Sequence, residues 1–171
     1  MQTHRPPHIN QDEVIYFLTV RCFHGGSYFQ DKQSLVLKII NLIVQRFDYG
    51  IYAWVILNNH FHLLLKVKKD FAKFIQNLNG RISFEINKLD RSRGRQIVYQ
   101  YWDHCITSEA DFWKHFNYIH HNPVKHGYCQ NETEVFGYPF SSARQWVNIK
   151  GKEWVDSCFE MYPIIDFTVS E

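Results

Sequence analysis

Apolar and polar positions alternate between two periods along this chain, and the changes of period mark out its elements. Val14 to Phe23, VIYFLTVRCF, is short, β-branched and aromatic, and Gly25-Gly26 punctuates its end, as expected of a buried strand. From Lys32 to Phe47 the apolar positions Leu35, Ile39, Ile40, Leu42, Ile43 and Phe47 approach helical spacing and stop near Gly50. Ile51 to Leu57 and His60 to Val67 are two more strand-like runs joined by Asn58-Asn59, which predicts an antiparallel hairpin. Phe71, Phe74, Ile75, Leu78, Ile82, Ile86 and Leu89 recur every three or four residues and predict a helix over 71–89. After the polar loop DRSRGRQ comes a fourth strand, Ile97 to Ile106. Thr107 or Ser108 can then cap a third helix, expected to stop by Pro123.

The order β-α-β-β-α-β-α predicts an α+β fold of the ferredoxin-like, split βαββαβ kind: an antiparallel sheet with its helices on one face and the other face free. The chain's 171 residues suit one domain with one core, spanning about 14–123, and an extension over 124–171 that carries a short helix near Ser141 to Val147 on the same core. Cys22, Cys105, Cys129 and Cys158 form no CxxC pair, so neither a zinc ribbon nor a disulfide scaffold is indicated and reduced thiols are expected. No apolar run is long enough to span a bilayer, and the polar start MQTHRPPHINQDE lacks the layout of a signal peptide, which predicts a soluble, cytoplasmic protein with no membrane partner.

The net charge of +2 hides an uneven distribution. Between Lys66 and Arg95 there are nine basic residues (66, 68, 69, 73, 81, 88, 91, 93 and 95) against three acids (70, 85 and 90). Such a block attracts phosphates or forms a solvated helix face and loop. Lys66, Lys68, Lys69, Arg81, Arg91, Arg93 and Arg95, with Lys125 further on, are candidate nucleic-acid contacts.

The stretch LNNHFHLLLKV is odd for a core strand. Side chains alternate across a strand, so His60 and His62 share one face with Leu64 while Phe61, Leu63 and Leu65 take the other. The apolar set is expected to hold the helices and the histidines to lie on the exposed face, spaced so that two imidazoles can converge on one ion. Alone, HxH does not decide: a dinuclear HxHxDH site would need a following Asp, and a two-histidine phosphoesterase a second HxT/S copy, and both are missing. In the third helix Phe112, Trp113, Phe116 and Ile119 make one stripe expected to face the core, whereas Tyr118 and Asn122 stand about 150° and 110° from its centre. That placement predicts that Tyr118 is not packing. A phenol, a carboxamide, two imidazoles and a basic segment are together a kit for phosphodiester cleavage: tyrosine oxygen as nucleophile, with a divalent ion on His60, His62 and Asn122. A phenol with an ordinary pKa near 10 needs help to lose its proton, and His121 or Lys125 can supply it.

These residues resemble a known family. HFH in LNNHFHLLL, YIHHNPVKHGY and YPFSS follow the order and spacing of the REP-associated tyrosine transposases of the single-tyrosine HUH class, whose common forms read PNHVHLLL, YIHxNPV and YPWSS; the likeness runs from about Val14 to Trp146. It implies a ferredoxin-like domain that binds single-stranded DNA beside a short palindromic hairpin, cutting and rejoining it through a 5′-phosphotyrosine. Carried over by position, Tyr118 is the nucleophile, His60 and His62 are metal ligands, and Asn122 is the third ligand. The implied ion is Mg²⁺ or Mn²⁺, the two imidazoles favouring Mn²⁺, and activity is expected with both. Asn58 stands where the family usually has proline, which is expected to loosen the turn before the histidines, and Phe61 replaces a β-branched residue. The resemblance admits both a monomer and a homodimer with shared active sites. The alternative is a non-catalytic module that binds single-stranded nucleic acid by stacking bases on Tyr99, Tyr101 or Trp102; a further reading is a metal hydrolase that uses water and no covalent step.

Overall fold

The computed structural model describes residues 14–167, so the polar N-terminal stretch lies outside the described residues. Four strands, β1 (Val14–Cys22), β2 (Gly50–Ile56), β3 (His60–Val67) and β4 (Val98–Cys105), form one antiparallel sheet in the order β2-β3-β1-β4. Helices α1 (Gln33–Arg46) and α2 (Phe71–Leu89) connect β1 to β2 and β3 to β4. This is the split βαββαβ fold the pattern predicts.

Alternation along the strands decides what each sheet face buries. Leu18 and Val20 of β1 and Phe61, Leu63 and Leu65 of β3 point to α1 and α2, meeting Ile40, Ile43, Phe74, Leu78 and Ile82. Each fully buried side chain of this size contributes about 1.5–3 kcal/mol. The opposite face is not free, contrary to the expectation from the sequence. It carries a second apolar cluster of Phe17, Ala53, Val55 and Leu64 beneath Phe116, Tyr118 and Ile119 of α3 (Glu109–Lys125). The chain therefore has two main cores separated by the sheet.

Helix α3 starts at Ser108, whose hydroxyl accepts from Asp111 N at 3.1 Å. It does not stop by Pro123 as expected but runs two residues further. Proline removes one N–H from the helix ladder, yet the backbone bond from His126 N to Asn122 O (3.0 Å) keeps the last turn closed. The end comes at Gly127, whose φ of +74° lets Tyr128 N reach Pro123 O at 2.8 Å and Gly127 N reach Val124 O at 3.0 Å.

The extension holds three helices, α4 (Glu132–Val135), α5 (Ala143–Lys150) and α6 (Lys152–Met161). It packs mainly on the second cluster, with Phe140 alone reaching the α1/α2 core among its described residues: Trp146 and Trp154 meet Phe116, and Trp146 Nε1 donates to Tyr52 O of β2 at 2.7 Å. The YPFSS segment fastens this layer to the β2 edge. Ile56 N donates to Phe140 O (2.9 Å), Tyr138 OH to Ile56 O (2.9 Å) and Trp54 N to Ser142 Oγ (2.9 Å), covering a strand edge that would otherwise offer unpaired backbone groups. All four cysteines are free, as expected. Among the described residues no helix is long and apolar enough to cross a membrane.

Candidate active site

The site is built where the start of β3 passes under α3. Strand pairing sets His62 opposite Thr19 and His60 opposite Arg21 of β1. Both histidines are buried, which corrects the expectation of an exposed face: α3 covers them. Tyr118 is only 1% exposed, against the expectation that it is not packing. The helical-wheel arithmetic found one apolar stripe, but α3 is covered on two sides. Phe116 meets Trp146 and Trp154 of the extension, while Tyr118 and Asn122 turn toward the sheet.

Three acceptors converge there. The carboxamide oxygen of Asn59 accepts from His60 Nδ1 at 2.7 Å, which leaves the lone pair of the neutral ring on Nε2. That Nε2 stands 3.4 Å from Asn122 Oδ1, while Asn122 Nδ2 donates to the Tyr118 carbonyl at 3.2 Å. Two acceptor lone pairs thus face each other. His62 Nδ1 is bonded to the Thr19 hydroxyl at 2.8 Å, and its Nε2 is buried with no hydrogen-bond partner. Burial pushes His60 down to about 3, helped by the charges of His126, Arg21 and Lys125 and opposed by the Asn122 carboxamide oxygen, which favours a protonated ring; burial likewise holds His62 well below its ordinary value. Neutral imidazoles and a carboxamide oxygen, buried without a matching donor, fit a divalent cation.

The phenol lies beside them, its ring 5.3 Å from that of His62. Lys125 Nζ donates to Tyr118 Oη at 3.2 Å and is paired with Asp166 Oδ1 at 2.6 Å. Of the two residues offered as helpers for the tyrosine, Lys125 reaches it; His121 turns toward Glu132 of α4, 3.3 Å away. Phe167 closes the site from above, edge-on to Tyr118 at 5.2 Å.

His126 escaped the sequence reading. Its ring is 4.8 Å from that of His60, and its place four residues after Asn122 and eight after Tyr118 was the signal that could have found it. Asn58 does not loosen the turn. It accepts from Gln33 Nε2 (2.8 Å) and from Phe29 N (2.9 Å), and its own N–H, which proline would lack, donates to Tyr128 OH at 3.2 Å.

The basic segment is not part of this centre. Lys66 sits at the far end of β3, paired in register with Ile15; Lys68 pairs with Asp48, Arg81 with Glu85 at 2.7 Å and Arg95 with Asp90. The backbone carbonyl of Lys69 accepts from Tyr49 OH. Arg91 and Arg93 line a cavity of about 630 Å³ beside Phe84 and Lys88, at the end of α2 on the helix layer. Of the aromatics offered for stacking, Tyr99 and Tyr101 are exposed on β4, and Trp102 lies under the Arg21 guanidinium at 5.3 Å.

Residues 15–122 match the family described as "Transposase IS200 like". The chain belongs to the IS200-like transposase family. Within this family it is a relative of the REP-associated tyrosine transposases. It is 29% identical over 131 residues to the REP-associated tyrosine transposase of Escherichia coli K12, covering 74% of either chain. It is 30% identical over 141 residues to a Haemophilus influenzae Rd protein named "Putative REP-associated tyrosine transposase", covering 75% of this chain and 78% of that one. Its fold is shared with a solved REP-associated tyrosine transposase bound to a REP hairpin, at a TM-score of 0.71 and 22% identity over 98% of this chain and 96% of that chain. The family match ends at Asn122 and so contains both histidines and the tyrosine. A second group of donors in this transposase, His104, Asp111 and His115, is also compatible with a metal ion.

Proposed function

We propose that this protein cuts and rejoins single-stranded DNA through a covalent bond to Tyr118, at sequences that form short REP-like hairpins. The observation that carries the reading is His60 Nε2 set 3.4 Å from Asn122 Oδ1 and a buried His62 Nε2 with no hydrogen-bond partner, beside a phenol that accepts from Lys125. Such a set has no evident purpose without a metal, because buried acceptors facing one another cost free energy.

Tyr118 Oη attacks a backbone phosphorus. The bond from phosphorus to the 3′ oxygen breaks, the phosphate stays on tyrosine as a 5′-phosphotyrosine, and the 3′ oxygen leaves and takes a proton from water. The phenol's own proton passes to solvent. Lys125, paired with Asp166, stabilises the negative oxygen as that proton departs. Thr19 and Asn59 fix the ring orientation of His62 and His60, so both lone pairs already point where a cation would sit. When bound there, Mg²⁺ or Mn²⁺ would polarise the phosphate and spread its charge. Rejoining is the reverse: a 3′-hydroxyl attacks the phosphotyrosine and releases Tyr118. DNA reaches the phenol only when Phe167 gives way.

The basic residues of the 66–95 segment stand outside the centre and serve, in this reading, as phosphate contacts for DNA beyond the cut. The chain acts as a single domain. Incubation with labelled single-stranded DNA carrying hairpins from the gene's own flanks, with and without Mn²⁺, tests the proposal on a denaturing gel. A metal-dependent adduct absent in Tyr118→Phe is expected. Cleavage that persists in Tyr118→Phe and disappears in His60→Ala would transfer the chemistry to a water nucleophile, and tight binding with no adduct at any flank would leave a binding module.

A further inference from the structure

We infer that His104, Asp111 and His115 form a second divalent transition-metal site, on the same sheet face as His60 and His62 but separate from them. The three residues each offer a ligand atom, and those atoms all lie within 4.8 Å of one another. They come from two elements: His104 from the edge strand β4, Asp111 and His115 from successive turns of one face of α3. The Phe17 ring separates this group from the first centre, 4.6 Å from His115 on one side and 5.3 Å from His62 on the other.

The contacts describe a cluster already gathered. His104 Nε2 lies 2.9 Å from Asp111 Oδ2, and His115 Nδ1 lies 3.0 Å from Asp111 Oδ1. The two imidazoles stack at 4.9 Å with their planes 21° apart. Donors bound at 2.0–2.1 Å around a tetrahedral ion stand about 3.4 Å apart, so ligand atoms already within 4.8 Å of one another close by about 1.4 Å at most on loading. A hydrogen-bonded tie between strand and helix would not need both imidazoles. Asp111 Oδ2 already accepts from Thr107 N at 3.1 Å, and His115 Nδ1 already has the Asp111 carbonyl at 2.9 Å. The carbonyl contact belongs to the metal-free state: coordination through Nδ1 breaks it and moves the ring proton to Nε2.

Two imidazoles and a carboxylate suit Zn²⁺, Co²⁺ or Mn²⁺ better than Mg²⁺, which prefers an all-oxygen shell. Three protein ligands leave further positions open, and the group lines a cavity of about 300 Å³ bounded by Phe17, Trp102, Asp103 and Phe167, with room for metal-bound water. The ion would fasten β4 to the start of α3, one turn before Tyr118.

The second site stands independently of the chemistry proposed at Tyr118. The test measures Co²⁺ and Zn²⁺ bound per chain after removal of all metal with a chelator, reloading, and dialysis of the full-length protein, comparing wild type with His104→Ala, Asp111→Asn and His60→Ala. The His104 side chain is 51% exposed, so His104→Ala leaves the metal-free fold intact, checked by circular dichroism. The expected result is the loss of one equivalent in His104→Ala and in Asp111→Asn, with affinity falling at least tenfold. The visible Co²⁺ spectrum should carry no thiolate charge-transfer band, and Zn²⁺ should raise the melting temperature of wild type but not of His104→Ala. Equal binding by all these proteins, no bound ion in wild type at 0.1 mM Zn²⁺, or a thiolate band from the exposed Cys105 would overturn it. A loss confined to His60→Ala would locate metal at the first centre alone and overturn the second, whereas a loss confined to His104→Ala and Asp111→Asn would support the second and count against the first.

Discussion

The two faces of the sheet are buried alike and furnished differently. Toward α1 and α2 the strands present Leu18, Val20, Phe61, Leu63 and Leu65, side chains that ask for no hydrogen bond. Toward α3 they present Phe17, Thr19, His60, His62 and Leu64. Among the described residues nearly every buried polar side chain gathers on this second side, from Thr19 and the two strand histidines to His115, Asn117, His120, Asn122, Ser141 and Ser142; Gln33 alone is on the other. Burying such groups costs free energy that burying leucine does not. One face is optimised for stability and the other gives stability up for chemistry.

The sharpest way to break this comparison is to remove the proposed nucleophile. Tyr118→Phe should lower DNA cleavage by on the order of 10⁴-fold or more, while stability changes by about 1 kcal/mol, the worth of one hydrogen bond to Lys125. A gel assay and a melting curve on the same preparation check both halves. Next in size is a pair of neighbours on β3. Phe61→Ala should cost about 3–5 kcal/mol in urea unfolding because it empties the aliphatic core. Combining His62→Leu with Thr19→Val should be neutral or stabilising, since it replaces both partners of a buried polar contact, and should abolish metal-dependent cleavage. If the double substitution were as costly as Phe61→Ala, the second face would be a structural core after all.

Acid should separate the faces too. Burial alone pushes His120 down to about 3, and burial is the leading cause for His60, also at about 3. The folded chain binds fewer protons on these rings than the unfolded chain, whose histidines titrate near 6.5. Their neutral state therefore contributes its full stability above pH 6.5, and that contribution drains away as pH falls toward about 3. Urea midpoints of the metal-free protein should decline through this window, and His120→Gln should flatten the decline. The smallest effect belongs to the helix layer: Arg91→Ala with Arg93→Ala should weaken DNA binding modestly and reduce the salt slope by about 0.7–0.9 for each phosphate no longer neutralised, read by titration at several salt concentrations.

Much of this was legible in the chain. The β-branched and aromatic runs, the Asn58-Asn59 turn and the three-and-four spacing of 71–89 lead directly to β1, the β2–β3 hairpin and α2, and HxH spacing on a strand places two imidazoles on one side. What lay hidden was the second layer. The side of α3 over the histidines carries His115, Tyr118 and Asn122 beside Ile119, so polar groups interrupt its apolar periodicity, while Phe116 carries the apolar stripe on to Trp146 and Trp154. Helix α6 went unread because KEWVDSCFEM buries only Val155 and Cys158. Distance in sequence hides the rest: His104 belongs to a strand and Asp111 to the next helix, and only folding makes them neighbours.

His60 and Asn122 are 62 residues apart and meet only after the sheet has formed and α3 has crossed it. During synthesis the residues of all four strands, the aliphatic core and the basic loop therefore precede the helix that bears the phenol. Fragments ending before α3 are unarmed. A truncated product, or one stalled in translation before α3, lacks both the phenol of Tyr118 and the carboxamide of Asn122.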